Sequence, residues 1–229
     1  MERHFDEDLK NLKAELLKMA ALAEESILNS TEALKNKDVK LAENVIEKDK
    51  EIDKKELEIE ESAIELLALH QPVASDLRFI TTGMKINAEL ERIADLSVNI
   101  CQRVIEMGDE PHVKPLIDIP KLSELARKMV KEAIDAFVNN DEELAKKVVL
   151  SDSEADKLRN MIHKELINDY MVKDGSVAPR AVPLLLISRH LERICDHATY
   201  IAEDVIYMVQ AKVIRHQRDK LKEDKSQDK

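Results

Sequence analysis

Apolar residues recur along this chain at helical spacing and almost never alternate. From Asp6 to about Asn36, Leu9, Leu12, Leu16, Leu17 and Met19 follow the three-and-four steps of a helix face. Asp38 is placed to cap a second helix that runs to about His70, where Pro72 breaks it. A third helix is predicted from about Val73 to Met107. Each of the three spans about 30 residues, or roughly 45 Å. Pro111, Pro115 and Pro120 then crowd between Gly108 and Pro120, and this stretch reads as a linker. Three more helices follow: Lys121 to Asn139, Asp141 to Val172 and Ala178 to Arg215. Gly175 and Pro179 mark the last gap. From His216 onward almost no apolar residue remains, which predicts a frayed polar tail.

The two halves repeat each other. LERIADLSVNICQRV, starting at Leu90, returns as LERICDHATYIAEDV, starting at Leu191. VIEKDKEIDK, starting at Val45, returns as VVLSDSEADK, starting at Val148. A duplicated unit of about 100 residues and three helices follows. The fold class is all-α: two tandem three-helix bundles, or one elongated six-helix bundle. The predicted divisions are 1–107, a linker 108–120, a second unit 121–215 and a tail 216–229.

Composition agrees. The 229 residues include 3 Gly, 6 Pro and no Trp, too few turn residues for a sandwich or barrel. Charged residues reach 36%, as suits long solvated helices. The net charge of −11 argues against nucleic acid as a partner. Cys101 and Cys195 lie in apolar helical patterns and read as buried thiols of a reducing compartment. The charged N-terminal stretch has no signal-like apolar core, and the run from Ala181 to Ile187 is too short to span a bilayer. A soluble, cytoplasmic protein is expected. Met84, Met107, Met129, Met161, Met171 and Met208 read as core fillers.

Acidic residues interrupt the inward seams. In the second helix the seam runs Val45, Asp49, Ile52, Glu56, Ile59, Ala63, Leu66, with Asp53 alongside. In the third it includes Asn87, Glu91, Ala94 and Cys101, with Asp95 one turn past Glu91. The fifth helix repeats the pattern as Val148, Asp152, Ala155, Arg159, Ile162, with Asp156 alongside. The sixth does so with Glu192 and Asp196. Each half thus brings two acidic pairs at i, i+4 onto helices expected to be neighbours. Like charges at that spacing repel, and inward carboxylates need a cation, an arginine or a proton. Two readings stay open. In one, Arg92 and Arg193 neutralise the acids. In the other, metal ions do so, and the recurrence of the same four positions favours it. Oxygen-only donors suit hard cations such as iron, manganese, magnesium or calcium rather than zinc.

A ferritin-like di-iron site would need Glu-x-x-His pairs, and no histidine has a Glu three residues before it. His197 is a weaker candidate ligand, since its counterpart in the first half is Leu96. His190 is a candidate phosphotransfer residue without distinctive surroundings. No phosphate-binding glycine loop and no nucleophile elbow occurs, so an ordinary enzyme is not indicated.

The doubled LERI-x-D segment, QPVASDLRFI after the second helix and DHATYIAED in the second copy resemble the PhoU family of phosphate-uptake regulators, from Phe5 to about Met208. The resemblance implies multinuclear metal clusters, iron in the family, on (E/D)-x-x-x-D motifs. The matching positions are Asp49 and Asp53, Glu91 and Asp95, Asp152 and Asp156, and Glu192 and Asp196. Ala94 and Cys195 stand where family members often carry Gly. It also implies a non-catalytic repressor of the phosphate-starvation response. Such an adaptor would be peripheral to the membrane, linking the ATPase subunit of a phosphate ABC transporter to a sensor histidine kinase, and homodimeric. The alternative is a carboxylate-rich bundle for iron storage or redox chemistry.

Overall fold

The structure, a computed structural model, describes residues 2–211. Six long helices carry it: α1 (Glu2–Asn36), α2 (Val39–His70), α3 (Ala74–Met107), α4 (Asp118–Asn139), α5 (Glu142–Glu165) and α6 (Ala178–Gln210). No strand occurs among the described residues.

The repeat is visible in the corners. The Asp38 side chain accepts a hydrogen bond from the Leu41 amide at 2.9 Å, and Asp141 accepts one from Leu144 at 3.0 Å. Each satisfies an otherwise free amide of the first helical turn. The residue before each cap, Lys37 or Asn140, takes a left-handed conformation with φ of 54° or 52°. The α1–α2 and α4–α5 turns are therefore one device used twice.

Three local features depart from the sequence expectation. Helix α4 starts at Asp118 rather than Lys121, because a proline and an acid suit the first helical turn and Ile119 is buried there. Helix α5 ends at Glu165 and continues as a wider π-helical stretch, Leu166–Met171, before a short 3-10 turn at Gly175–Val177. Met161 is 46% exposed and fills no core gap. Its position follows Arg159 and Asn160 around to the outer side of α5, while Ile162 takes the buried one. The predicted end of the last helix at Arg215 and the tail 216–229 lie outside the described residues.

Helices α1 and α3 pack on each other and on α2; α4 and α6 pack likewise with α5. Helix α3 then packs on α6, and α1 on α4, so the two units share one continuous core with α2 and α5 on the flanks. The choice between two bundles and one falls on two three-helix units fused into one. The Phe79 and Phe137 rings stack across the junction with centroids 5.0 Å apart. Within the first unit, Gly83 lets α3 approach α1: a Cβ there would lie 3.0 Å from Leu16 Cδ1. Thr31 and Ser123 hydroxyls meet at 2.6 Å in the buried α1–α4 contact. Polar ties also join α3 to α6. Lys85 pairs with buried Asp204 at 3.2 Å, Arg78 Nε donates to the Met208 carbonyl at 3.1 Å, and His197 Nδ1 lies 2.5 Å from Glu89. The linker is anchored by buried Lys114, which pairs with Glu165 and, at 3.6 Å, with Asp118. Cys101 and Cys195 are free, buried thiols. No described helix is long and apolar enough to cross a membrane.

Candidate metal centre

In the first half, packing of α2 on α3 brings the acids together. Val45, Ile52, Ile59, Ala63 and Leu66 of the α2 seam are buried, which turns Asp49 and Glu56 toward α3. Asn87 of α3 reaches back and donates to the Glu56 carbonyl at 2.7 Å, fixing the two helices in register. Asp49, Glu56 and Glu91 are half-buried, while Asp53 and Asp95 are exposed at the rim.

These carboxylates act on one another. Burial, then Asp53 and Asp95, pushes Asp49 up to about 6. Burial, then Asp95, Glu56 and Asp53, pushes Glu91 up to about 7. Asp95 is raised by burial and Asp53, with a hydrogen bond to Glu91 offsetting part of the rise. Glu56 is raised by burial, Glu60 and Asp53. Nearby cations are engaged elsewhere. Arg92 pairs with Glu89 at 3.0 Å, Lys55 with Glu15 at 2.8 Å and Lys54 with Glu58 at 3.5 Å. Arg92 follows α3 back to Glu89 in the preceding turn and offsets only the smallest part of the rise at Glu91.

The second half is built differently. Asp152, Asp156, Glu192 and Asp196 surround the buried Cys195 thiol, whose pKa burial and then these four carboxylates raise well above its ordinary value. Arg159 lies among them. One of its terminal nitrogens is 3.0 Å from Glu192 and 3.6 Å from Asp156. Thr199 donates to Asp152 at 3.4 Å. The neutralising arginine here is Arg159, from the α5 seam, where the first half has Glu56. Arg193 is exposed on the wall of a cleft that Arg159, Glu192 and Asp196 also line.

Among the described residues, no three carboxyl, imidazole or thiol groups stand close enough, as placed, to hold one ion. The donor chemistry separates the halves. The first half offers oxygens that repel one another, which suits a hard cation after side-chain rotation. In the second half Arg159 already supplies positive charge, and that set suits a metal less well. His197 is engaged with Glu89 across the α3–α6 contact and is a structural pair rather than part of either cluster. His190 is half-buried, with burial and then Arg193, Arg103 and Arg189 lowering its pKa. Sequence reasoning missed the buried acids Glu203 and Asp204 on α6, which carry no periodic signal apart from the apolar run around them.

The comparisons agree with this duplicated architecture. The model of the PhoU domain matches twice, over residues 16–104 and 119–205. The phosphate-specific transport system accessory protein PhoU homolog of Aquifex aeolicus is 40% identical over 94% of this chain and 97% of its own length. The PhoU protein of Escherichia coli is 31% identical over 98% of this chain and 95% of its own length. The crystal structure of PhoU from Pseudomonas aeruginosa superposes with a TM-score of 0.86 at 35% identity, covering 91% of this chain and 100% of that one.

Proposed function

The chain belongs to the PhoU family, and from that premise we propose that it is an accessory regulator of phosphate transport that restrains uptake and the phosphate-starvation response. The observation that carries this reading is the double domain match laid over the two halves of one six-helix fold. The protein is a regulator and adaptor rather than a catalyst. It works in the cytoplasm, as a homodimer, reaching the membrane only through its partners. Those partners are the ATPase subunit of the phosphate ABC transporter and the sensor histidine kinase of the response. Long helices such as α2 and α5, which flank the shared core, suit this role because they offer extended outer faces to a partner.

The carboxylate clusters complete the proposal. Asp49, Asp53, Glu91 and Asp95 would hold a hard metal, iron in the first instance, with Glu56 beside them. The metal would supply positive charge that relieves the repulsion between α2 and α3. Asp152, Asp156, Glu192 and Asp196 form the matching set, in which Arg159 takes over part of that charge. The chain's own residues do the rest: the α2 and α3 seams orient the acids, and Asn87 holds the register between them.

Affinity capture tests the adaptor role. Tagged protein, expressed in its own host under high phosphate, should retain the transporter ATPase and the sensor kinase. Capture of neither, with both present in the input, contradicts the bridge.

A further inference from the structure

We propose that the groove between α1 and α4 is where two copies of this chain pair, the α1 rim of each lying over the α4 rim of the other. The inference rests on the homodimer proposed above and assigns it a surface. The groove has a volume of about 360 Å3. Buried Ala20 and Ile134 lie along its floor, and Leu17 and Leu28 stand on its α1 wall at 41% and 37% exposure. Ala14, Leu17, Ala21, Glu24 and Leu28 follow three-and-four steps along the outside of α1. That is the spacing of a seam on which another helix packs, and the described residues leave it open.

Charge decides what covers the seam. Glu24 of α1 and Arg127, Lys131 and Asp135 of α4 ring the groove, and none of these four side chains closes an ion pair among the described residues. The Arg127 Nε is buried without a hydrogen-bond partner there. Burial raises the pKa of Glu24, Arg127 and then Lys131 offset part of the rise, and Asp135 adds to it. The rim thus holds two acids and two bases, partly desolvated and unpaired. A partner of one charge sign would oppose half of them. A second copy opposes none. Helices α1 and α4 run antiparallel: Thr31, late in α1, meets Ser123, early in α4, and Lys13, early in α1, donates to the Val138 carbonyl late in α4. Glu24 and Arg127 occupy the same position of the repeat, as the capping Asp38 and Asp141 do, and carry opposite charges across the groove. A two-fold axis along the helices therefore sets Glu24 of each copy over Arg127 of the other. That is the self-complementarity an interface between identical copies requires. The same contact covers Leu17 and Leu28, and the flanking helices α2 and α5 stay free for other partners.

Sedimentation equilibrium of the full chain, with a chelator present, gives the test. The wild type should be a dimer. Glu24→Arg and Arg127→Glu should each weaken pairing about tenfold or more, since each sets like charges against one another across the interface. Mixed in equal amounts, the two variants should pair with each other, because every reversed charge then meets its opposite. Leu17→Ser with Leu28→Ser removes only exposed side chains. That variant should keep the helical circular dichroism of the wild type and be monomeric, so the test does not depend on whether the charge reversals fold. A dimer that survives these substitutions overturns this surface and leaves the homodimer standing on another one. Folded charge variants that are monomeric alone and stay so when mixed overturn it too, because the two-fold register is then wrong. A wild type monomeric at every concentration overturns both the surface and the homodimer. Were the groove instead the seat of a different protein, the serine variant would keep the dimer and lose capture of the transporter ATPase or the sensor kinase, which also contradicts the proposal.

Discussion

Arg159 of α5 donates to Glu192 of α6 at 3.0 Å, and the residue that corresponds to Arg159 in the first half is Glu56. One ancestral helix pair thus carries a built-in cation in one copy and an added acid in the other. Arg159 and Glu192 are both mostly buried, so the pair is screened less than a surface ion pair. Removing Arg159 leaves Glu192 uncompensated, whereas removing Glu192 leaves Arg159 with Asp156 at 3.6 Å. Arg159→Gln should cost about 1–3 kcal/mol, and a double-mutant cycle with Glu192→Gln should show a favourable coupling of about 1 kcal/mol. Urea denaturation of the four proteins measures both.

The first half should make stability fall with rising pH. Asp49 and Glu91 hold their protons to about 6 and about 7 in the folded protein, against 3.8 and 4.5 ordinarily. The folded state therefore binds protons that the unfolded chain has released. Between about pH 4 and pH 7, each step upward removes stability. Glu91→Gln should flatten that slope without lowering the melting temperature at pH 7. Thermal melts at several pH values, in chelator, give the comparison.

A hard cation should act in the same direction as Glu91→Gln. Added manganese or ferrous iron is expected to raise the melting temperature at pH 7 by binding the native state alone. Glu91→Gln with Asp95→Asn should abolish most of that rise. Glu192→Gln with Asp196→Asn should remove less of it, because Arg159 already sits in the second cluster. A melt indifferent to metal and chelator would count against the first site.

The two halves should unfold together. Phe137 of α4 is 1% exposed and stacks on Phe79 of α3, so its ring belongs to both units. Phe137→Ala should destabilise the chain by about 3–5 kcal/mol. The denaturation curve should remain a single transition, read alike by signals from either half. Two separated transitions would show that the units fold independently.

Much of this was legible in the sequence, and the failures have physical causes. The capping of α2 by Asp38 needed only an acid before an apolar period. The inward direction of Asp49 and Glu91 followed from the three-and-four step. The same seam also held Arg159, yet the arginine alternative to a metal named only Arg92 and Arg193. Sequence periodicity shows which way a residue faces along its own helix. It does not show which side chain lies opposite on the next one. Arg92 turned to Glu89 on α3 itself, a contact one turn long that competes with any across the interface. The π-helical stretch at Leu166–Met171 left no trace either, since its spacing differs from the α pattern by a fraction of a residue per turn. The fusion of the halves through Phe79 and Phe137 depends on which helices meet, and the repeat pattern alone left that open.

The central claim is that this chain restrains the phosphate-starvation response, and the most direct measurement is a transcriptional reporter of that response in its own host. With an intact sensor kinase and ample phosphate, deletion of the gene should leave the reporter switched on, and the wild-type chain supplied in trans should silence it. A reporter that stays off after deletion would contradict the account.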